Sequence, residues 1–317
     1  MARRVTPLIL ILALVLPLAL SACGGSAQAT TVRVGMLPIL DGLPMYVAQA
    51  EGMFEEQGVS VEFIPVSSAA ERDQLMQAGQ IDAMINDLVS TMLYNREQTQ
   101  IVIVRFARTA TLDYPQYRVL AAGDSGIESV AQLAGVPIGV SEGTVIAYTT
   151  DRLLEGAGLT PDQIETLAVP NIGERMTLLT SGQLQAANLP DPLASLAIQN
   201  GAVVVIDDTA DPSIGNSVIS FRASYVEQNP DTVRGFLAAV EQAVEAVNTD
   251  KARWQDLLTE QGLVPAPILG SYAVPDFPAA SVPSVSQFAD VLDWTQQEGL
   301  IEVDVSYDSS VDDSFLP

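Results

Sequence analysis

Apolar and polar positions along this chain follow two periods in turn, and the alternation predicts its elements. Val32 to Met36 is an apolar run of strand length, followed by a Gly/Pro/Asp segment, Leu37 to Pro44. Met45, Val47, Ala48, Met53 and Phe54 then recur at helical spacing up to Gly58, which stands where a helix-ending glycine belongs. Val59 to Val66 alternates as a second strand. A strand–helix–strand unit of this kind implies a parallel pair, with its ligand edge at the carboxyl ends of the strands. That places Pro38, Asp41 and Gly42 at a binding edge.

The same grammar continues. A helix is predicted over Ala69 to Ala78, stopped by Gly79, then a strand from Ile81 to Ile85 ending at Asn86-Asp87, and a helix over Leu88 to Arg96. Ile101 to Phe106 is almost wholly apolar, as in a strand buried on both faces, with Arg105 and Arg108 at or past its end. Tyr117 to Ala122 reads as a strand crossing between lobes. A second series follows: a short helix over Ser125 to Leu133, a strand over Pro137 to Ser141, and a helix opened by Glu142-Gly143-Thr144. Next come a strand over Ile164 to Val169, a helix over Gly173 to Thr180, a strand over Ala186 to Leu189 ending in Pro190-Asp191-Pro192, and a strand over Ala202 to Ile206. Asn216 to Arg222 reads as a strand returning to the first lobe.

The last third is helical. Val233, Phe236, Leu237, Val240, Val244 and Val247 form one apolar face after Asn229-Pro230. A helix over Lys251 to Gln261 follows, then a surface loop from Val264 to Pro283 with five prolines, and a helix over Ser284 to Glu298. An acidic tail is expected to drape over the surface. An internal echo supports two lobes: Glu71-Arg72-x-x-Leu75-x-x-x-Gly79-Gln80-Ile81 returns as Glu174-Arg175-x-x-Leu178-x-x-x-Gly182-Gln183-Leu184, at a constant offset of 103.

The segment VGMLPILDGLPMYVAQAEGMFEEQGVSVEF, with Ala50, Gly52, Phe54 and Gly58 ahead of the second strand, resembles the opening of solute-binding proteins of ABC importers. The closest group is the nitrate/sulfonate/taurine and thiamine-pyrimidine type, and the likeness runs over about residues 30–300. It implies an α/β, two-lobed periplasmic-binding-protein-like fold of type II, each lobe a mixed, mostly parallel sheet flanked by helices. The first lobe is then expected over 32–118 plus 219–317 and the second over 119–218, with hinge crossings near 118–122 and 214–219. The implied function is capture of a small solute and delivery to ABC permease subunits by a monomer, without catalysis. Two alternatives remain: an enzyme of the pyrimidine or menaquinone type on the same fold, and an extracytoplasmic sensor.

Composition narrows the chemistry. With 14 Lys+Arg against 39 Asp+Glu the net charge is −25, which repels nucleic acid and anionic lipid. The chain has no histidine, so Ser-His-Asp and Cys-His catalysis and histidine metal sites are excluded. No cofactor or metal is expected. The one cysteine, Cys23, follows a basic start (Arg3, Arg4) and an apolar run from Leu8 to Leu20. Leu20-Ser21-Ala22-Cys23 resembles a bacterial lipobox. Residues 1–22 are therefore read as a signal peptide and 23–31 as a lipidated flexible tether, giving an extracytoplasmic protein anchored to the cell membrane.

Ligand contacts are expected at strand ends and helix starts from both lobes. In the first lobe these are Pro38, Asp41, Gly42, Asn86, Asp87 and Arg108; in the second they are Ser141, Glu142, Gly143, Thr144, Tyr148 and Asp191. Ser141 to Thr144 has two readings, an anion cradle at a helix start or Ser141 as a plain cap. Convergence of Asp41, Asp87, Glu142 and Asp191 would select a cation or an N–H-rich heterocycle; the solute classes in view are pyrimidines, amines and sulfonates. Arg105 and Arg108 read either as an anion clamp or as buried partners of those acids.

Overall fold

The computed structural model describes Met1 and residues 31–317. The signal segment, Cys23 and the tether up to residue 30 lie outside the described residues. Among the described residues ten strands form two sheets: β1 (Thr31–Met36), β2 (Ser60–Pro65), β3 (Ala83–Asn86), β4 (Ile101–Thr109), β5 (Tyr117–Ala121), β6 (Pro137–Val140), β7 (Glu165–Ala168), β8 (Ala186–Pro190), β9 (Val203–Asp207) and β10 (Asn216–Arg222). The orders are β2-β1-β3-β10-β4 and β7-β6-β8-β5-β9. In each sheet the first three strands are parallel and the fourth is antiparallel to both neighbours.

The two lobes follow one plan. Val34 and Gly35 pair with Ala83 and Met84, as Ile138 and Gly139 pair with Ala186 and Ala187. Both glycines are needed for the same reason. A methyl at Gly35 would sit 2.7 Å from Ile81 Cδ1 and 3.6 Å from Arg72, and one at Gly139 would sit 2.8 Å from Leu184 Cδ1 and 3.4 Å from Arg175. The echo seen at offset 103 is thus a shared packing unit, in which a helix lays a buried arginine under a glycine of the central strand.

Among the described residues twelve helices flank the sheets: α1 (Leu43–Ala50), α2 (Met53–Glu56), α3 (Ala69–Gln77), α4 (Leu88–Asn95), α5 (Val145–Gly156), α6 (Ile172–Thr180), α7 (Leu193–Gln199), α8 (Ala223–Gln228), α9 (Pro230–Thr249), α10 (Gln255–Glu260), α11 (Val285–Gln297) and α12 (Tyr307–Ser310). The expected single helix before Gly58 is broken in two, because Gly52 takes a left-handed φ of 75° between α1 and α2. Between Ser125 and Leu133 only a 3-10 turn forms, Val130–Leu133. The tail does more than drape. Val311 bridges Ile103 of β4, and Ser310 and Phe315 are buried.

Three further expectations are corrected. β4 runs to Thr109, so Arg105 and Arg108 lie inside the strand and are buried. The chain passes between sheets at residues 110–116 and 208–215, so the crossing expected near 118–122 falls inside β5, and most of 214–219 lies in β10. The carboxy-terminal segment does not belong to the first lobe alone. Phe288, Val291 and Trp294 of α11 share one apolar cluster with Leu88, Val89 and Met92 of α4 and with Val145, Ile146 and Tyr148 of α5. Its start is fixed by a capping box, in which Ser284 and Gln287 satisfy each other's backbone N–H groups.

The two crossings are tied by Asp208. Its carboxylate accepts the Gln116 N–H at 2.8 Å and the Tyr117 N–H at 3.0 Å. A methyl at Gly215 would lie 1.9 Å from Asp208 Oδ2. Gly215→Ala is therefore expected to dislodge the carboxylate and strand two buried N–H groups, costing about 2–4 kcal/mol and read as a lower urea midpoint. Burial pushes the Asp208 carboxyl up to about 7, against an ordinary carboxylate value near 3.9 in the unfolded chain. Between those values the fold keeps a proton that the unfolded chain has released. Asp208 therefore makes stability fall as pH rises from about 4 to about 7, with no further change above. Asp151, pushed up to about 6 by burial, adds a slope of the same sign. Melting temperatures measured across pH should show a shallower decline in Asp208→Asn, and an unaltered slope would refute this assignment.

Candidate functional site

The site grows from the place where β4 leaves the first lobe. Arg108, near the end of that strand, has a side chain only 2% exposed. Asp41, held in a 3-10 turn before α1, stands 3.6 Å from its Nη1. The second Asp41 oxygen accepts Ser217 Oγ at 2.6 Å and Gln116 Nε2 at 3.0 Å. Arg108 also donates across the lobes, to the carbonyl of Asp191 at 3.3 Å and to that of Pro115 at 3.4 Å. Its Nε is buried with no partner. Burial opposes the Arg108 charge, but Tyr272, Asp41, Asp191 and Asp208 outweigh it and hold the guanidinium above its ordinary pKa.

Asp191 follows β8 directly, and its carboxylate gathers three donors. Arg118 Nη1 lies at 2.5 Å and Ser195 Oγ at 2.6 Å from Oδ1, and Tyr272 Oη donates to Oδ2. Ser195 in turn accepts from Arg118 at 3.0 Å. Burial pushes the Tyr272 hydroxyl well up, so it stays a donor at neutral pH. These side chains wall a cavity of about 430 Å³ between α7 of the second lobe and the proline-rich segment around Ile268 and Tyr272. Asp113 and Tyr114 of the first crossing complete its rim.

The other candidates fall into two sets. Near the first turns of α4 and α5 stand Asp87, Ser141, Gly143 and Thr144. Asp87 caps α4 by accepting the Ser90 N–H at 2.8 Å. Thr144, not Ser141, caps α5, accepting the Ile146 N–H at 3.2 Å. Ser141 Oγ instead accepts Arg175 Nη1 at 2.8 Å and donates to the Pro170 carbonyl at 3.2 Å. Gly143 takes a left-handed φ of 65° in the loop between them.

The remaining candidates turn elsewhere. Asn86 spends its amide on Ser90 and Thr91, and its oxygen accepts from Ser220 at 2.7 Å. Pro38 is exposed in a separate groove beside Tyr46 and Gln261. Gly42 is closed in by Met36 and Tyr46. Glu142 is exposed at an outer cavity of about 240 Å³ beside Trp294. Tyr148 faces α11, its hydroxyl 2.5 Å from Asp290 Oδ2 and its ring edge-on to Trp294. The four acids thus do not converge: Asp41 and Asp191 flank Arg108, Asp87 caps a helix, and Glu142 faces solvent. Arg105 is no clamp either, being consumed by Glu241 at 2.5 Å and the carbonyl of Pro278.

Arg118, Ser195 and Tyr272 were not among the sequence candidates. Ser195 could have been found, since it follows Asp191 by one helical turn. Tyr272 lies in an irregular segment, where no period marks it. Among the described residues no group of His, Cys, Asp or Glu is placed to hold a metal ion. No helix there is long and apolar enough to cross a membrane.

Comparison with known proteins places this geometry. The nitrate import ATP-binding protein NrtC of Synechococcus elongatus is 25% identical over 252 residues, covering 74% of this chain and 38% of that protein. A putative aliphatic sulfonates-binding protein of Escherichia coli is 28% identical over 155 residues, 49% of this chain and 48% of that protein. The chain thus spans less than half the length of these two relatives. A 4-amino-5-hydroxymethyl-2-methylpyrimidine phosphate synthase of Saccharomyces cerevisiae is 22% identical over 249 residues, covering 74% of this chain and 71% of that protein. Among solved structures, the zinc-bound ligand-binding component of an ABC-type import system from Staphylococcus aureus superposes with a TM-score of 0.76 at 14% identity, covering 90% of this chain and 97% of that one. The two-lobed fold is therefore that of ABC-import binding components. Residues 41–252 match the family described as NMT1/THI5 like, and the chain belongs to that family.

Proposed function

We propose that this protein is an extracytoplasmic solute-binding component of an ABC importer. It captures a small polar solute between its lobes and presents it to a permease, and no bond is made or broken. The observation that carries this reading is the cavity walled by Arg118, Asp191 and Ser195 from one lobe and by Tyr272 and Ile268 from the other. A solute held there touches both lobes and so favours their closed arrangement.

The wall charges balance. Arg108 and Arg118 stand against Asp113 and Asp191. A solute without net charge, of the pyrimidine kind, leaves that balance intact, whereas a simple amine or sulfonate adds one unmatched charge. Tyr114 and Tyr272 offer flat faces to such a solute. The names of the relatives, which speak of nitrate, sulfonates and a pyrimidine phosphate, support small polar solutes. Lipid attachment at Cys23 would hold the protein at the membrane beside its permease, and a monomer suffices for this work.

The pyrimidine phosphate synthase among the relatives keeps a catalytic reading in view. Against it stands the side-chain chemistry. The chain has no histidine. In the cavity the Tyr272 hydroxyl is pushed far from neutral pH and Asp191 is engaged by three donors, so neither is poised to transfer a proton.

A thermal-shift screen of pyrimidines, amines, amino acids and sulfonates should yield a solute that raises the melting temperature by mass action. That solute should bind at one-to-one stoichiometry in calorimetry and be recovered unchanged; a released product would overturn the reading. Asp191→Ala should weaken the dissociation constant at least tenfold, about 1.4 kcal/mol, and Tyr272→Phe by a smaller factor. If both variants are folded and bind as the parent does, the cavity is not the solute site.

A further inference from the structure

One guanidinium in the cavity is held by a single nitrogen. Arg118 stands on β5, and its Nη1 is committed twice, to Asp191 Oδ1 at 2.5 Å and to Ser195 Oγ at 3.0 Å. Ser195 is itself oriented, donating to the same carboxylate oxygen at 2.6 Å. An arginine and a carboxylate commonly pair through two parallel hydrogen bonds. Here the second oxygen, Oδ2, is taken by the Tyr272 hydroxyl from the other lobe, so the ion pair rests on one prong. Asp207, the cross-strand neighbour of Arg118 on β9, spends its carboxylate on Thr209.

The other edge of the fork, Nε and Nη2, has no hydrogen-bond partner among the described residues. These nitrogens are unlike the Arg108 Nε, which is buried and unpartnered. Arg118 keeps 14% of its side chain exposed and lines the cavity of about 430 Å³. Its free edge presents two parallel N–H donors in one plane. The charge behind them is already answered by Asp191. An uncharged pair of acceptors therefore suits the edge, whereas an anion would leave one charge unmatched in the wall.

We infer that Arg118 sets the solute class of the cavity: its free Nε–Nη2 edge receives two adjacent, coplanar acceptors of an uncharged ring, a carbonyl oxygen beside an unprotonated ring nitrogen. Asp191 and Ser195 are positioning residues, which act on the solute through Arg118. Tyr272 keeps the edge open by holding Oδ2. The inference rests on the reading of the cavity as a solute site and narrows it. Rings with the carbonyl are taken and carbonyl-free analogues are rejected, because a site built to give a hydrogen bond discriminates strongly against a ligand that lacks the acceptor.

The test is a nuclear magnetic resonance titration of isotope-labelled protein with three probes at millimolar concentration. Cytosine carries the carbonyl beside a bare ring nitrogen, the aminopyrimidine that differs from it by lacking the carbonyl is the second probe, and sodium benzoate, with two coplanar oxygens and a charge, is the third. The Arg118 Nε–H resonance is identified by its loss in Arg118→Lys, and affinities are read from backbone amides lining the cavity. Lysine keeps the charge beside Asp191 but has no planar edge. Cytosine should move the Arg118 resonance and bind at least about tenfold more tightly than either other probe. In Arg118→Lys, shown to be folded by circular dichroism and urea unfolding, cytosine should bind about tenfold or more weakly. Ser195→Ala should narrow the preference for cytosine over the aminopyrimidine, which a loss of stability alone would not do. The proposal is overturned if cytosine leaves the Arg118 resonance unmoved, if the probes bind alike, if benzoate binds more tightly than cytosine, or if folded Arg118→Lys binds cytosine as the parent does. A failed solute screen or a released product would count against the importer reading and leave these titrations with their own readout.

Discussion

A buried guanidinium must find its partners inside the protein, and for Arg108 they lie in both lobes. Asp41 belongs to the first lobe, the carbonyl of Asp191 to the second, and the carbonyl of Pro115 to the crossing between them. Removing one partner of a buried charge typically costs about 3–5 kcal/mol. The lobes are thus held in register by a group that neither could satisfy alone. Asp41 carries the tie further, because Ser217 on the returning strand and Gln116 on the first crossing both donate to it. Asp208 closes the circuit by binding the backbone of the first crossing from the second.

The composition sharpens the point. Cations are scarce, 14 against 39 acids, yet Arg72, Arg105, Arg108 and Arg175 are all buried. Arginine can serve there because its planar fork reaches several carbonyl oxygens at once and its charge persists despite desolvation. The interior therefore mixes both signs, since Asp41, Asp82, Asp87, Asp191 and Asp208 are buried with these arginines.

What could be read from the sequence was what period and punctuation encode. The strand–helix units, the duplicated Arg72 and Arg175 segments and the returning strand Asn216–Arg222 all emerge from spacing alone. Arg105 and Arg108 were misplaced because a charge in an apolar run looks like the end of a strand. Here the guanidiniums are buried within β4, where long-range partners satisfy them. The crossings were misplaced for a related reason, since strands and crossings share the same apolar residues. Asp41, Arg108 and Asp191 are legible as candidates because strand ends and turns attract such residues, and the structure brings the three side by side. Tyr272 was missed because it acts from an irregular loop, and its partner is 81 residues away. The apolar face of α11 was legible, but a helical period does not name the surface it covers.

That last helix decides how the lobes can part. Trp294 donates to Asp151 at 2.9 Å, and Asp290 accepts from Tyr148 and Arg152, so α11 is fastened to α5 as well as packed on α4. Separating the lobes along this seam would expose a continuous apolar cluster, at about 25 cal/mol for each Å² uncovered. Separating them at the Tyr272 side breaks two bonds that cross the lobes, Tyr272 to the Asp191 carboxylate and Arg108 to the Asp191 carbonyl, the second costing more because that guanidinium is buried. The lobes are thus joined by an apolar surface along the α4–α5–α11 seam and by polar ties on the cavity side.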